Sequence, residues 1–214
     1  MLKRFLMTAI CLLPLLAGVG ANEVRGDEKS AAIMAKVSHQ FKSYGDYTVM
    51  FTVSSRGMED IAGEYTVSGD KFLIEVGGQK QFSDGVARYE IYPADKEVVI
   101  DNINLNNRNI LTNPTRAFDF APDEFDGRYE GQKKHGGVNC DVIELTPKSS
   151  AYGTGTIFLY VRVGTAEPAA IVYNYDGQEI DITINMILTM TSPDPALFTF
   201  NAADYPGFEI IDFR

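Results

Sequence analysis

Alternation of apolar and polar residues with a period of two runs through most of the chain beyond residue 45. In DYTVMFTVS (46–54) and EIDITINM (179–186) every second residue is apolar, which is typical of strands with one buried face. Eight further segments have strand character: GEYTVS, KFLIEV, VARYEIY, KEVVIDNI, NCDVIELT, TIFLYVRV, AAIVYNY and FEIIDF. So many strands rarely form a flat sheet, so we expect about 10–11 strands in a strongly curved or barrel-like sheet.

Turn dipeptides separate many of these segments. Gly69-Asp70, Gly77-Gly78, Asp84-Gly85 and Asp176-Gly177 each stand between two predicted strands. Such pairs accept the positive φ angles that tight hairpins require. The pattern therefore favours an antiparallel, meandering sheet.

One clear helix precedes the strands. In the stretch 28–41, Ile33, Val37 and Phe41 recur every fourth position and Met34 widens the apolar stripe. Gly45 is placed to end the helix. The predicted class is therefore α+β, with the apolar side of this helix free to cover the sheet.

A second non-strand piece, LTNPTRAFDFAPDEF (111–125), interrupts the strands. Asn113 can cap a short helix, Pro114 suits its first turn and Pro122 ends it. Asp123 and Glu124 favour the first turn of a second short helix. Three phenylalanines would then face the sheet: Phe118, Phe120 and Phe125. They either complete a dry core or cover an apolar cavity, and the pattern alone leaves both interpretations open.

The N-terminal stretch 1–21 has the layout of a secretory signal peptide. Lys3 and Arg4 precede an apolar run, and small residues at Val19 and Ala21 mark a cleavage site before Asn22. An uncleaved anchor is the alternative, but the run is shorter than the roughly 20 residues that span a bilayer. We expect an exported domain at residues 22–214 that retains Cys140 and forms no internal disulfide.

The charge balance excludes some partners. The chain carries 19 Lys and Arg against 29 Asp and Glu, a net charge of −10, and loss of the leader removes two of those cations. Nucleic acids and anionic membrane surfaces attract basic footprints, so neither is an expected partner. We expect a soluble, acidic, monomeric domain.

Residues with the spacing of a catalytic or metal site are not found. His39 and His135 have no ligand at metal-site spacing, and the asparagine-rich DNINLNNRN (101–109) lacks the acidic spacing and the glycine of a calcium loop. Asp119, Asp123, Glu124 and Asp126 could supply paired carboxylates, although such a cluster in an acidic protein usually lies on a solvated surface. The sequence therefore predicts no enzyme, no cofactor and no metal.

The order of several motifs resembles the LolA family of periplasmic outer-membrane lipoprotein carriers. After the leader and the helix come GEYTVSGDKFLIEV, SDGVARYEIYP, ILTNPTRAF, IELTPKS and FTFNAADYPGFEIIDF. The resemblance implies an unclosed antiparallel barrel, with the N-terminal helix and short central helices as a lid over an apolar cavity that takes acyl chains.

The resemblance also implies particular residues. The cavity would be lined by Val49, Phe51, Phe72, Ile74, Tyr89, Ile91, Val98, Ile100, Ile182 and Ile184. The lid would use Ile33, Val37, Phe41, Pro114, Arg116, Phe118, Phe120 and Phe125. Ser68-Gly69 stands where family members commonly carry an Arg-Pro pair whose arginine is thought to latch the lid, and Arg116 is a candidate replacement.

The function that the resemblance implies is transport of lipoproteins across the periplasm, from the inner to the outer membrane. The implied partners are acylated lipoproteins, an inner-membrane lipoprotein-releasing ABC exporter and an outer-membrane acceptor of the LolB type. A lipid- or lipoprotein-sensing domain of the RseB-like type is the alternative binding function. An enzyme acting on lipid or glycan through Asp123 or Glu124 is a third.

Overall fold

The chain forms one α-helix and one large sheet in the residues that the structure, a computed structural model, describes: 20–175, 177–190 and 192–214. The helix α1 spans Gly20–Tyr44, and Gly45 ends it with a φ of +68°, as its position predicts. Residues 1–19 of the predicted leader and Asp176 of a predicted turn lie outside the described residues. In the part described, the structure contains no helix long and apolar enough to cross a membrane.

Twelve strands make up the sheet in the described residues. They are β1 Asp46–Ser55, β2 Ile61–Ser68, β3 Lys71–Val76, β4 Gln79–Ser83, β5 Ala87–Tyr92, β6 Glu97–Asn102, β7 Phe125–His135, β8 Val138–Pro147, β9 Thr156–Arg162, β10 Pro168–Tyr175, β11 Gln178–Met190 and β12 Glu209–Asp212. Their order across the sheet is β12-β6-β5-β4-β3-β2-β1-β11-β10-β9-β8-β7. Because β12 and β7 end this order without pairing with each other, the barrel is unclosed.

The predicted strands are present, and the structure adds two. Strand β4 contains one large apolar residue, Phe82, and β7 is a polar edge strand, so neither alternates clearly in the sequence. The sheet is antiparallel, as predicted, except at one edge, where β12 pairs with β6 in parallel. His135 is the last residue of β7.

The two faces of the sheet are covered by different segments. The inner face packs against α1 and against residues 103–124, here called the central segment, and forms the larger core. The outer face of β3–β6 packs against Leu197, Phe198, Phe200, Tyr205 and Phe208, here called the C-terminal cover. Successive residues of a strand point to opposite faces, so Phe72 and Ile74 belong to the inner core and Leu73 to the outer one.

Close approach of α1 to the sheet depends on a glycine in β7. Ser30 Oγ donates a hydrogen bond of 2.8 Å to the Gly127 carbonyl. A Cβ at Gly127 would lie 2.7 Å from Met34 Sδ, which is too close for ordinary contact. The missing side chain therefore lets the apolar stripe of α1 reach the inner core, where Met34, Val37 and Phe41 are buried and Ile33 is partly buried.

Candidate functional site

Local hydrogen bonds shape the first part of the central segment. Asparagine side chains accept from backbone N–H groups two residues ahead, as in the bond from Asn109 N to Asn107 Oδ1 (2.7 Å). This is the turn role that the asparagine-rich run predicts. A 3₁₀ helix at Pro114–Arg116 follows, with Asn113 accepting from Thr115 N and Pro114 in the first turn, so the predicted cap is confirmed.

The second short helix predicted at Asp123 and Glu124 is absent from the described central segment. The backbone N–H groups of Glu124 and Phe125 both donate to the Ala121 carbonyl, which makes a turn, and Phe125 then begins β7. The acidic pair therefore does not cap a helix. Asp123 is exposed and Glu124 is buried in an ion pair.

Aromatic rings close the inner face between α1 and the central segment. Phe41 of α1 stacks on Phe118 with ring centroids 4.0 Å apart, and its edge meets Tyr47 of β1 at 5.3 Å. Phe120 packs edge-on against Phe125 at 5.3 Å. The predicted lid residues Phe118, Phe120 and Phe125 thus all belong to the inner core, and Pro114 is also buried.

Asp119 joins the central segment to α1 at the rim of this packing. Its carboxylate accepts from Ser38 Oγ at 2.8 Å and from Lys42 Nζ at 2.9 Å, both on α1. Arg116 Nη2 donates to the same carboxylate at 3.0 Å. Burial acts to raise the pKa of Asp119, but the three donors outweigh it and hold that pKa below its usual value. The side chain is therefore an anion at neutral pH.

Arg116 forms its ion pairs within the central segment rather than with the sheet. Its guanidinium contacts Asp119 and, at 3.4 Å, Glu124, both within the central segment. The turn at Ser68-Gly69, where the family places its arginine, lies across a cleft from Arg116. Polar contact between α1 and the central segment is instead made through Asp119, which accepts from Lys42 and Ser38 of α1. The sequence did not single out these two donors.

Arg108 is a further site residue that no clear signal in the sequence indicates. Its side chain has no exposed surface, and its Nη2 and Nε donate to Glu124 at 2.6 Å and 3.0 Å. Nη1 donates to the carbonyls of Leu105 and Asn106. The ion pair ties the start of the central segment to its end.

Strand β10 supports the same segment from below. Tyr173 Oη accepts from Ile110 N at 3.0 Å and donates to the Arg108 carbonyl at 3.2 Å. On the other side of the segment, Gln81 Nε2 of β4 donates to the Thr112 carbonyl at 3.0 Å. These contacts place the central segment directly over the inner core.

The predicted cavity residues separate into two groups. Six lie in the inner core beneath α1 and the central segment: Val49, Phe51, Phe72, Ile74, Ile182 and Ile184. The other four lie in the outer core beneath the C-terminal cover: Tyr89, Ile91, Val98 and Ile100. Their placement with the first six is wrong because the register aligns Tyr89 with Phe82 and Phe82 with Leu73, the outer residue of β3.

Two clefts flank the contact between α1 and the central segment. One, of ≈ 490 Å³, lies at the end of α1 and is lined by Phe41, Tyr47, Val67 and Phe118 among others. The second, of ≈ 400 Å³, lies by Met34, Pro122 and Phe125. The stacked rings of Phe41 and Phe118 line the first cleft and Phe125 lines the second, so inner-core residues form part of the wall of both.

The site and fold together define an unclosed barrel whose inner face is closed by a helix and a loop segment, which is the architecture expected from the LolA resemblance. No family model matches the chain, and no curated protein matches its sequence.

Solved structures resemble it in fold. An uncharacterized conserved protein from Thermus thermophilus shares 12% identity over 86% of this chain and 99% of its own, with a TM-score of 0.57. A putative outer membrane lipoprotein-sorting protein domain from Vibrio parahaemolyticus shares 13% identity over 81% and 97%, with a TM-score of 0.49. A LolA superfamily protein from Nitrosomonas europaea shares 12% over 80% and 97%, with a TM-score of 0.45. Identities this low describe a likeness of fold.

Proposed function

We propose that this protein is a periplasmic carrier that binds the acyl chains of lipoproteins between the inner face of the sheet and the central segment. It ferries them from the inner to the outer membrane and performs no catalysis. The observation that carries the proposal is the stack of Phe41 on Phe118. These rings belong to two separate covering elements, and their separation would open the apolar interior without breaking a strand.

Energetics favour a cover that opens at a cost. Burial of an acyl chain is worth roughly 0.8 kcal/mol per CH₂, so several long chains would exceed the roughly 20 kcal/mol at which non-covalent affinities saturate. A carrier must release its cargo, so part of this energy has to be consumed in opening. Separation of Phe41 from Phe118 and loss of the Asp119 contacts supply such a cost here.

The edges of the cover suit reversible opening. Asp119, Ser38 and Lys42 lie at the rim, and Lys42 is well exposed, so water can replace their mutual hydrogen bonds when the elements part. The surfaces that would be uncovered are mainly aromatic and aliphatic side chains. Such surfaces can accept acyl chains because contact between the two removes apolar surface from water.

The proposal includes the compartment and the partners. The leader predicted at 1–21 directs the chain to the periplasm, where an inner-membrane lipoprotein-releasing ABC exporter loads the carrier. An outer-membrane acceptor of the LolB type unloads it. The carrier acts as a monomer, with one cargo molecule at a time.

Native mass spectrometry tests the proposal. The protein is purified gently from the periplasm of its own host, and we expect adducts with the masses of acylated lipoproteins. A Phe118→Asp, Phe120→Asp double variant should lose them, because charge on the cover opposes burial. A Met186→Asp variant is the control, since it adds charge at an exposed site on the opposite face. A clean mass without adducts, together with no uptake of added lipoprotein, would contradict the proposal.

A further inference from the structure

Tyr65 of β2 carries a hydroxyl that is buried without a partner. The side chain has no exposed surface, and among the described residues its Oη meets no hydrogen-bond donor or acceptor. The ring lies in the inner core, with centroids 6.3 Å from Tyr47 and 6.0 Å from Phe51. The hydroxyl thus lies in the apolar interior that the proposed function assigns to acyl chains.

Packing does not account for this hydroxyl. An unpartnered polar group in an apolar interior lowers stability, whereas phenylalanine fills nearly the same volume without that cost. The chain uses phenylalanine at the neighbouring inner positions Phe51 and Phe72. The hydroxyl of Tyr65 therefore does not serve the closed structure without cargo, and its role has to be sought in another state of the protein.

Tyr173 shows how this interior treats a buried hydroxyl that serves the closed state. Its Oη both accepts from Ile110 N and donates to the Arg108 carbonyl, so its hydrogen-bonding capacity is used. Tyr65 makes no such contact to the central segment. Burial raises the pKa of Tyr65 well above its usual value, as do the neighbouring hydroxyls of Tyr47 and Tyr173, so the group remains a neutral O–H donor.

The position of Tyr65 relates it to one of the two clefts. Val67, two residues along the same face of β2, and Tyr47, its aromatic neighbour, both line the cleft of ≈ 490 Å³ at the end of α1. If an acyl chain enters through this cleft, the ester or amide that joins it to its head group comes to lie near Tyr65. Its hydrocarbon would extend deeper, over residues such as Ile182.

We infer that the Tyr65 hydroxyl donates a hydrogen bond to the ester or amide carbonyl that links an acyl chain to its head group. This inference rests on the proposed function and adds to it a selection for acyl chains, which carry a carbonyl, over plain hydrocarbon. The hydroxyl without a partner in the closed state gains one when cargo is bound.

A pair of fluorescent probes isolates the carbonyl. One is a decane labelled with pyrene, and the other is the methyl ester of the pyrene-labelled decanoic acid. Both are titrated into the wild-type protein and a Tyr65→Phe variant, and the ratio of the two affinities is measured. We expect the preference for the ester to fall roughly fivefold in the variant, which is the worth of one uncharged hydrogen bond.

Two controls keep the outcome specific. Tyr65→Phe should unfold at the same or a higher urea concentration than wild type, because it removes an unpartnered group. Tyr89→Phe removes a buried hydroxyl from the outer core and should leave the affinity ratio unchanged. An unchanged ratio in Tyr65→Phe, with both probes bound, would overturn the inference and leave the carrier proposal standing. Failure of the wild-type protein to bind either probe would overturn both.

Discussion

The guanidinium of Arg108 is enclosed within the fold and holds the carboxylate of Glu124, with Nη2 2.6 Å from Oε1 and Nε 3.0 Å from Oε2. Arg108 lies near the start of the central segment and Glu124 at its end, so their ion pair closes residues 108–124 into a loop. A buried ion pair is costly to break because the remaining charge has no solvent to stabilise it. The ion pair therefore stabilises the folded conformation of the central segment over the inner face of the sheet.

We expect loss of one partner to be much worse than loss of both. Glu124→Leu leaves the Arg108 charge buried and should lower the free energy of unfolding by about 3 kcal/mol or more. The double variant Arg108→Met, Glu124→Leu should recover a large part of that loss. Urea unfolding of the two variants measures the difference, and equal losses would mean that the pair does not bear on the stability of the segment.

The Asp119 contacts should control how readily the interior opens. Asp119→Asn weakens the bonds from Lys42 and Ser38 and should speed uptake of an apolar dye about fivefold, at a cost in stability of about 1 kcal/mol. Asp141→Asn is a matched control, since Asp141 accepts from Lys29 of α1 but does not touch the central segment. Faster uptake in the control as well would show that general loosening of α1 is responsible.

Dye uptake should also depend on pH through Asp119. The folded pKa of this group lies below its unfolded value of about 3.9, so its stabilising contribution is present above that value and is lost as pH falls through the folded pKa. We expect constant uptake between about pH 7 and pH 5 and faster uptake below about pH 4. Asp119→Asn should lack the change that stems from this group, so a parallel pH profile would refute the assignment.

Gly127 should be intolerant of a side chain. Gly127→Ala places a methyl group against Met34 Sδ and near Ser30 Oγ, and we expect it to lower the free energy of unfolding by about 1–2 kcal/mol. Met34→Ala in the same chain makes room, so the added cost of the alanine should shrink in that background. The thermal midpoints of the four proteins in this cycle provide the measurement.

Two valines test the separation of the cores. Val49 in the inner core and Val98 in the outer core are both fully buried, so threonine at either position adds a hydroxyl without a change of shape. Each variant should lose about 1–3 kcal/mol of stability. Only Val49→Thr should weaken binding of an acyl probe. Weaker binding in Val98→Thr would instead place the ligand beneath the C-terminal cover.

Some elements could be predicted correctly because they depend on interactions between residues close together in the sequence. The period of four in α1, the positive φ of Gly45 and the Asn113-Pro114 cap depend on residues within a few positions of one another. Strand β7 escaped prediction because most of its residues are polar and its outer edge is unpaired.

The sequence does not reveal to which side of the sheet the apolar residues of a given strand point. Tyr89, Ile91, Val98 and Ile100 alternate as clearly as the inner residues, and alternation identifies a buried face without identifying what buries it. In a sheet with one covered face the assignment would have been correct. Here the C-terminal cover buries the opposite face, and only the tertiary structure reveals that a second cover exists.

Arg108 shows the limit for a single charged residue. The asparagines around Arg108 are typical of an exposed turn, and charged side chains are rarely buried unless they are paired. The sequence therefore favours an exposed position for Arg108. Its partner Glu124 belongs to a different motif, and the turn at residues 121–124 that brings the two together depends on the packing of the whole segment.

The parallel pairing of β12 with β6 has a consequence for how the molecule folds. Glu209 pairs with Glu97 in the register, so two strands that are far apart along the chain have to meet. Contacts between residues so far apart in the chain form late in folding, because the chain must lose the entropy of a large loop before these contacts can stabilise it. Until then β6 presents an open edge, and the outer residues of β3–β6 remain wet. A chain arrested at this stage would be prone to aggregate through that edge. The rate at which β12 pairs with β6 thus sets how long a newly made molecule is exposed to aggregation.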